Sequence, residues 1–205
     1  MTVRWDERYS GEEFLFGREP SAFLKGQAHR FKASESALAV ADGEGRNGVF
    51  LATLGLHVHA IDASKVALAK SRRLAQESGV QLKLEQVDIA DWAWPENAYD
   101  HVVAIFIQFA EPALRSRLFE HMKRAVKPGG LVLLHGYRPE QVALGTGGPS
   151  ERSHMYTRQM LSDAFGDFDI ELLDEHDSLV DEGSGHRGLS ALIDFVARRP
   201  KAANV

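Results

Sequence analysis

From Leu38 onward, short apolar runs of strand character alternate with segments of helical period. Parallel strands can be joined only by a crossover long enough to hold a helix, so this alternation predicts βαβ units around a mostly parallel sheet. Leu38 to Ala41 forms a first strand. Gly45 to Leu54 has helical period and stops at Gly55, and His57 to Ile61 is a second strand ending at Asp62. Ser64 caps a helix whose apolar stripe carries Val66, Ala67, Leu68, Leu74 and Ala75 and which halts at Ser78-Gly79. Leu82 to Val87 alternates as a third strand, and the continuous apolar run from Tyr99 to Phe106 suits a central one. Ala113 to Val126 is helical, Lys127-Pro128-Gly129-Gly130 breaks it, and Leu131 to His135 is a fifth strand. After a Gly- and Pro-punctuated loop from Arg138 to Met155, Thr157 to Phe165 is a short helix. Phe168 to Leu173 and Leu189 to Val196 then make an antiparallel closing pair.

One domain is expected over residues 1–205, with an N-terminal helical cap at 1–33 and a Rossmann-like core at 34–200. The cap differs in kind, with Trp5, Tyr9, Phe14, Phe16 and Phe23 spread among charges and Gly. The fold class is α/β, a doubly wound sheet. A formal net charge of -5 argues against a phosphate backbone as partner, because nucleic-acid binding rests on clustered Lys and Arg. The absence of cysteine excludes disulfides, thiolate catalysis and Cys-based zinc sites. The N-terminus is charged almost at once and lacks the apolar stretch of a signal peptide, and no segment has the length of a membrane span. A cytoplasmic protein with a small-molecule substrate, no nucleic acid and no membrane is expected; oligomeric state stays open.

In an open parallel sheet, ligands collect outside the carboxyl ends of the strands. Asp42-Gly43-Glu44-Gly45-Arg46-Asn47-Gly48 follows the first strand and opens a helix, so its backbone can approach a ligand and offer free amides. A plain strand-to-helix turn remains an alternative for that spacing. Asp62 ends the second strand about twenty residues further on, where a carboxylate accepts ribose hydroxyls. Asp88 repeats the logic at the third strand, where an acid and its following amide can read the amine of adenine. An acid such as Glu44 beside a helix N-terminus is awkward for a pyrophosphate, which disfavours a nicotinamide cofactor without excluding it. A cofactor that carries adenosine but no phosphate has no such conflict.

Val40-Ala41-Asp42-Gly43-Glu44-Gly45-Arg46-Asn47, Ala60-Ile61-Asp62-Ala63-Ser64, Asp88-Ile89 and Val126-Lys127-Pro128-Gly129-Gly130 together resemble the successive motifs of class I methyltransferases. The nearest branch is the tellurite-resistance and thiopurine methyltransferase-like group, and the resemblance extends to the aromatic start, to Thr146-Gly147-Gly148-Pro149 and to Glu182-Gly183-Ser184-Gly185-His186-Arg187-Gly188. It implies a seven-stranded sheet whose final strand is antiparallel, and S-adenosyl-L-methionine as cofactor. The cofactor set is then Tyr9, Phe16, Ala41, Asp42, Gly43, Glu44, Gly45, Asn47, Asp62, Ala63, Ser64, Asp88, Ile89 and Ile105, and the aromatics Trp5, Tyr9 and Phe16 either close over the adenosine as a lid or pack in the core. The chain departs from the family at Ala39, usually an acid, at Ala41, usually glycine, and at Asp42, often cysteine; Glu44 or Asp42 is the candidate replacement carboxylate.

The implied activity is methyl transfer to a small acceptor, with a thiol and a selenite- or tellurite-type oxyanion among the candidates. His186 and Arg187 are the catalytic candidates, since the resemblance places a His-Arg pair near the substrate. Tyr137, Arg138 and His154 flank the long loop as substrate candidates. No metal site is expected; His57 and His59 share a strand face without a carboxylate to complete one. The Arg115, Arg117 and Arg124 face reads as solvated surface. A nicotinamide-dependent oxidoreductase and a catalytically silent cofactor-binding protein are the competing readings.

Overall fold

The computed structural model describes residues 2–183 and 185–201; Met1 of the expected cap, Ser184 of the late Gly-rich motif and residues 202–205 lie outside it. Its seven-stranded sheet has the order β3-β2-β1-β4-β5-β7-β6. The chain packs as two compact units, residues 1–92 with 181–187, and residues 93–180 with 188–205.

The first unit opens with helices α1 (Thr2–Arg8) and α2 (Ala22–Gly26). There follow β1 (Ser36–Val40), α3 (Arg46–Thr53), β2 (His57–Asp62), α4 (Lys65–Glu77) and β3 (Lys83–Gln86). β2 pairs parallel with both β1 and β3. Leu38, Ala39, Val40, Ala60 and Ile61 are buried, as a sheet covered on both faces requires. The caps follow from local chemistry. Ser64 Oγ accepts the Ala67 amide at 3.1 Å to start α4. Gly45, at φ 93°, supplies the left-handed turn into α3, and a Cβ there would fall 2.2 Å from Ser71 Oγ, so only glycine fits.

The second unit holds β4 (Tyr99–Ile105), α5 (Pro112–Ala125), β5 (Val126–Tyr137), α6 (Gln141–Leu144), α7 (Arg158–Ala164), β6 (Asp169–Asp181) and β7 (Arg187–Arg198). β4 and β5 are parallel, and β7 runs antiparallel to β5. Pro112 starts α5, where its missing N–H costs nothing, and Thr157 caps α7 by accepting the Met160 amide. A chain of rings forms the core: Phe165 lies 4.9 Å from Phe195 and 5.4 Å from Phe119, which meets Tyr156 edge-on. The closing strands are longer than their apolar runs suggest, and the 138–155 loop contains α6 and a 3₁₀ turn at Arg152–His154.

One expectation is corrected. Arg115 is 7% exposed, because α5 turns it inward and its guanidinium donates to the Ser153 carbonyl at 2.5 Å. Burial lowers its pKa, opposed by the neighbouring Tyr156 phenol.

Candidate functional site

The turn after β1 is held from inside by its own acids. Asp42 accepts the Gly48 amide with both carboxylate oxygens, at 3.1 and 3.2 Å. A Cβ on Gly48 would lie 2.4 Å from Asp42 Oδ2, so the glycine is needed for this close approach. Asp62, at the end of β2, accepts from Gly43 N at 2.9 Å and from Ser64 N at 2.8 Å, and so locks the tips of β1 and β2 together. Desolvation pushes the Asp42 carboxyl up to about 7 despite the Gly48 bonds, and the nearby Asp62 adds to the rise. Asp62 is raised too, by burial first, against amide bonds from Ser64, Gly43 and Ala63.

Glu44 and Asn47 face the N-terminal segment. Glu44, 4% exposed, pairs with Lys70 at 2.7 Å and accepts the Phe16 amide, while Lys70 also donates to the Glu13 carbonyl. Asn47 Oδ1 accepts the Ser21 amide at 3.0 Å. Arg46 pairs with Glu182 at 2.7 Å, and Glu182 also accepts the Ala22 amide. Both oxygens of Glu44 are therefore engaged in holding the cap.

A line of rings crosses the glycine turn. Trp5 stacks on Tyr9 at 5.7 Å, Tyr9 meets Phe16 edge-on at 6.1 Å, and Phe16 lies 4.4 Å from the His186 ring. The Tyr9 hydroxyl sits 2.9 Å from where a Cβ of Gly43 would be. Burial raises the Tyr9 phenol, and Asp62, Glu44 and Asp42 raise it further, which places it over the acids of the turn. His186 Nδ1 is 4.0 Å from Glu182. Arg187 points elsewhere: its side chain is 75% exposed and pairs with Asp181.

Of the sequence candidates, the first unit thus brings Tyr9, Phe16, Asp42, Gly43, Glu44, Gly45, Asn47, Asp62 and His186 together around one turn. Ala41 leads into that turn with a left-handed backbone, φ 48°. Ala63 and Ser64 follow Asp62. Asp88 is exposed and accepts its own chain's Ala90 amide at 3.0 Å, and Ile89 beside it is buried. His59 is buried and 2.9 Å from Glu85, with Trp92 edge-on, and burial lowers its pKa. No group of three or more His, Cys, Asp or Glu among the described residues could hold a metal ion.

The remaining candidates lie in the second unit. Ile105 ends β4 in register with His135 on β5. Tyr137 is buried against Phe106, Arg138 pairs with Asp177 and Glu140, and His154 bonds the Gln108 carbonyl at 3.2 Å. Reading by sequence missed His135, whose Nδ1 lies 2.6 Å from Asp194. An isolated His at the end of an apolar run gave no signal that an acid some sixty residues on would meet it.

Residues 37–130 match the family model described as a methyltransferase domain. Over that segment the chain is similar to methyltransferases. The enzyme type to which the match points is a methyltransferase. Phosphoethanolamine N-methyltransferase 2 of Caenorhabditis elegans is 29% identical over 136 residues, 63% of this chain and 29% of that protein, so this chain spans under a third of the relative's length. The structure reported for the conversion of a disulfide bond into a thioacetal group during echinomycin biosynthesis superposes with TM-score 0.80 at 19% identity, covering 100% of this chain and 94% of the other. TehB from Haemophilus influenzae gives 0.71 at 18% identity, covering 95% and 65%. The mixed, mostly parallel seven-stranded sheet is the Rossmann-like α/β fold of this group. No helix among the described residues is long and apolar enough to cross a membrane.

Proposed function

We propose that the chain is an S-adenosylmethionine-dependent methyltransferase acting on a small molecule. The observation that carries the reading is the acidic lining of the glycine turn. Asp42 and Asp62 bring two carboxyls to one buried turn whose surroundings disfavour their ionisation, and a cofactor bearing a sulfonium and an ammonium would favour the ionised carboxylates where an anion would oppose them. A pyrophosphate would meet the same charge as repulsion, which disfavours a nicotinamide dinucleotide.

The residues fit this cofactor by their chemistry: amides and carboxylates at the tips of β1 and β2, with an aromatic wall from Tyr9 and Phe16. S-adenosylmethionine supplies the methyl group and a neutral thioether leaving group. The chain's own residues bind it, orient it and exclude water, so most of the acceleration comes from positioning. Asp62 would take the ribose hydroxyls on lone pairs not used by Gly43 and Ser64, and the Asp88-Ile89 segment would take the adenine. His186, held against Phe16, is the acceptor-side candidate of this unit, and Arg187 serves it only if the turn rearranges. The finer acceptor reading, a thiol or a chalcogen oxyanion, is supported by the sequence motifs of the tellurite-resistance and thiopurine branch, and the sulfur chemistry named for the echinomycin structure is in keeping with it.

The test compares ligand-induced thermal stabilisation by S-adenosylmethionine, S-adenosylhomocysteine and NAD, followed by transfer of labelled methyl across thiol, amine and oxyanion panels. Stabilisation by the first two and a methylated product are expected. Stabilisation by NAD alone overturns the assignment, and tight S-adenosylhomocysteine binding with no methylated product leaves a silent binding protein.

A further inference from the structure

The amino-acid end of the cofactor proposed above carries an ammonium and a carboxylate, and the acids of the glycine turn suit only the first. Ionised, Asp42, Glu44 and Asp62 oppose the second, so a cation has to answer it. Two nearby cations are already engaged: Lys70 pairs with Glu44 at 2.7 Å and Arg46 with Glu182 at 2.7 Å. Arg8 is placed differently. Its guanidinium lies 4.7 Å from the centre of the Trp5 ring and 5.8 Å from that of Phe16, and among the described residues it makes no hydrogen bond or ion pair. All of these residues belong to the first unit.

The surroundings hold Arg8 in place. Asp6, two residues earlier on α1, accepts from Ser64 Oγ at 2.6 Å and from the Val66 amide at 3.3 Å, which fixes α1 against the start of α4, where Ser64 N also meets Asp62. Tyr9, the next residue, lays its hydroxyl over Gly43, 2.9 Å from where a Cβ would be. Burial, Asp62 and Glu44 raise that phenol's pKa while Arg8 lowers it, so the Arg8 charge reaches the same turn as the acids. A plain surface arginine would meet Glu7, Glu12 or Glu13, which are close by in sequence; this one turns to the rings instead. A guanidinium over a ring face keeps its in-plane N–H groups for a carboxylate fork.

We infer that Arg8 is a cofactor-binding residue that takes the carboxylate of S-adenosylmethionine while the acids of the turn take its ammonium; the inference rests on the function proposed above. Trp5 and Phe16 are positioning residues in this arrangement, the ring faces that hold the guanidinium. The zwitterion is thereby divided, its positive group toward the acidic turn and its negative group toward a ring-backed cation. The chain then distinguishes the intact cofactor from its decarboxylated form, which keeps the sulfonium and the amine and lacks only the carboxylate.

The test is isothermal titration of wild type, Arg8→Met and Arg8→Lys with S-adenosylmethionine and with decarboxylated S-adenosylmethionine. Methionine keeps an apolar stem against the rings and removes the charge, and Arg8 is exposed, so the fold does not depend on it. Arg8→Met is expected to weaken S-adenosylmethionine about 30-fold and to leave the decarboxylated ligand within about twofold of wild type. Arg8→Lys, a point charge without the fork, should recover part of the loss for the intact cofactor alone. Equal weakening of both ligands by Arg8→Met would assign the side chain to packing of the cap and overturns the inference, as does S-adenosylmethionine affinity within about threefold of wild type. Failure of wild type to bind either ligand overturns the proposed function itself, and the role of Arg8 with it.

Discussion

Ala41 carries a backbone cost that its neighbours impose. Its φ of 48° lies in the left-handed region, which disfavours an L side chain by roughly 1–2 kcal/mol, while glycine's extra unfolded-state entropy costs about 0.5–1 kcal/mol. Ala41→Gly is therefore expected to stabilise the protein by about 0.5–1 kcal/mol, measured as a higher urea midpoint at unchanged slope. Asp42 gives a prediction with a pH sign. Burial pushes its folded carboxyl up to about 7 from the ordinary 3.8, so folding favours the protonated form and the destabilising charge develops as pH rises from about 4 to 7. Asp42→Asn removes that charge and should raise the melting temperature at pH 8, with the difference shrinking toward pH 4 in calorimetric scans. Sequence spacing exposed the turn and its acids. It did not show that Asp42 is spent on Gly48 and Glu44 on Lys70, because those bonds join positions whose distance only the folded chain sets.

Among the elements, the strands and helices of the alternating core were legible because their period is written over many residues, and β1, β2, α4 and α5 fall where the apolar pattern puts them. The closing strands were less so. β6 is largely exposed, with Glu171, Glu175 and Asp177 along it, so it lacks the apolar signature that marks a buried strand. Arg115 misled for a related reason, since a charged residue on a helix reads as solvated unless the partner that draws it inward is known. The aromatic line from Trp5 to His186 acts as an element of its own, with Phe16 at its centre. Phe16→Ala removes contacts on both sides of that ring and should weaken S-adenosylhomocysteine binding roughly tenfold, about 1.4 kcal/mol, by isothermal titration; unchanged affinity would show that the rings serve packing alone.

Across the whole molecule, the first unit is assembled from two stretches that are distant in sequence, residues 1–92 and 181–187. The second stretch contributes Glu182, whose carboxylate meets Arg46 at 2.7 Å with side chains 13% and 7% exposed. Glu182→Gln leaves a buried guanidinium without its counter-charge, and a loss of about 3 kcal/mol is expected, visible in chemical denaturation as a lowered midpoint. A loss under about 0.5 kcal/mol would mean that the pair behaves as a surface contact. The same arrangement sets a timetable during synthesis. A ribosome adding about 5–20 residues per second releases the glycine turn and its helices early, yet Glu182 and His186 emerge only after residues 93–180 of the second unit. Until then Arg46 has no acid to neutralise it and Phe16 no imidazole beside it, so the nascent chain carries an incomplete half for several seconds, and a translational pause before residue 181 would prolong the interval in which proteases and chaperones can reach it.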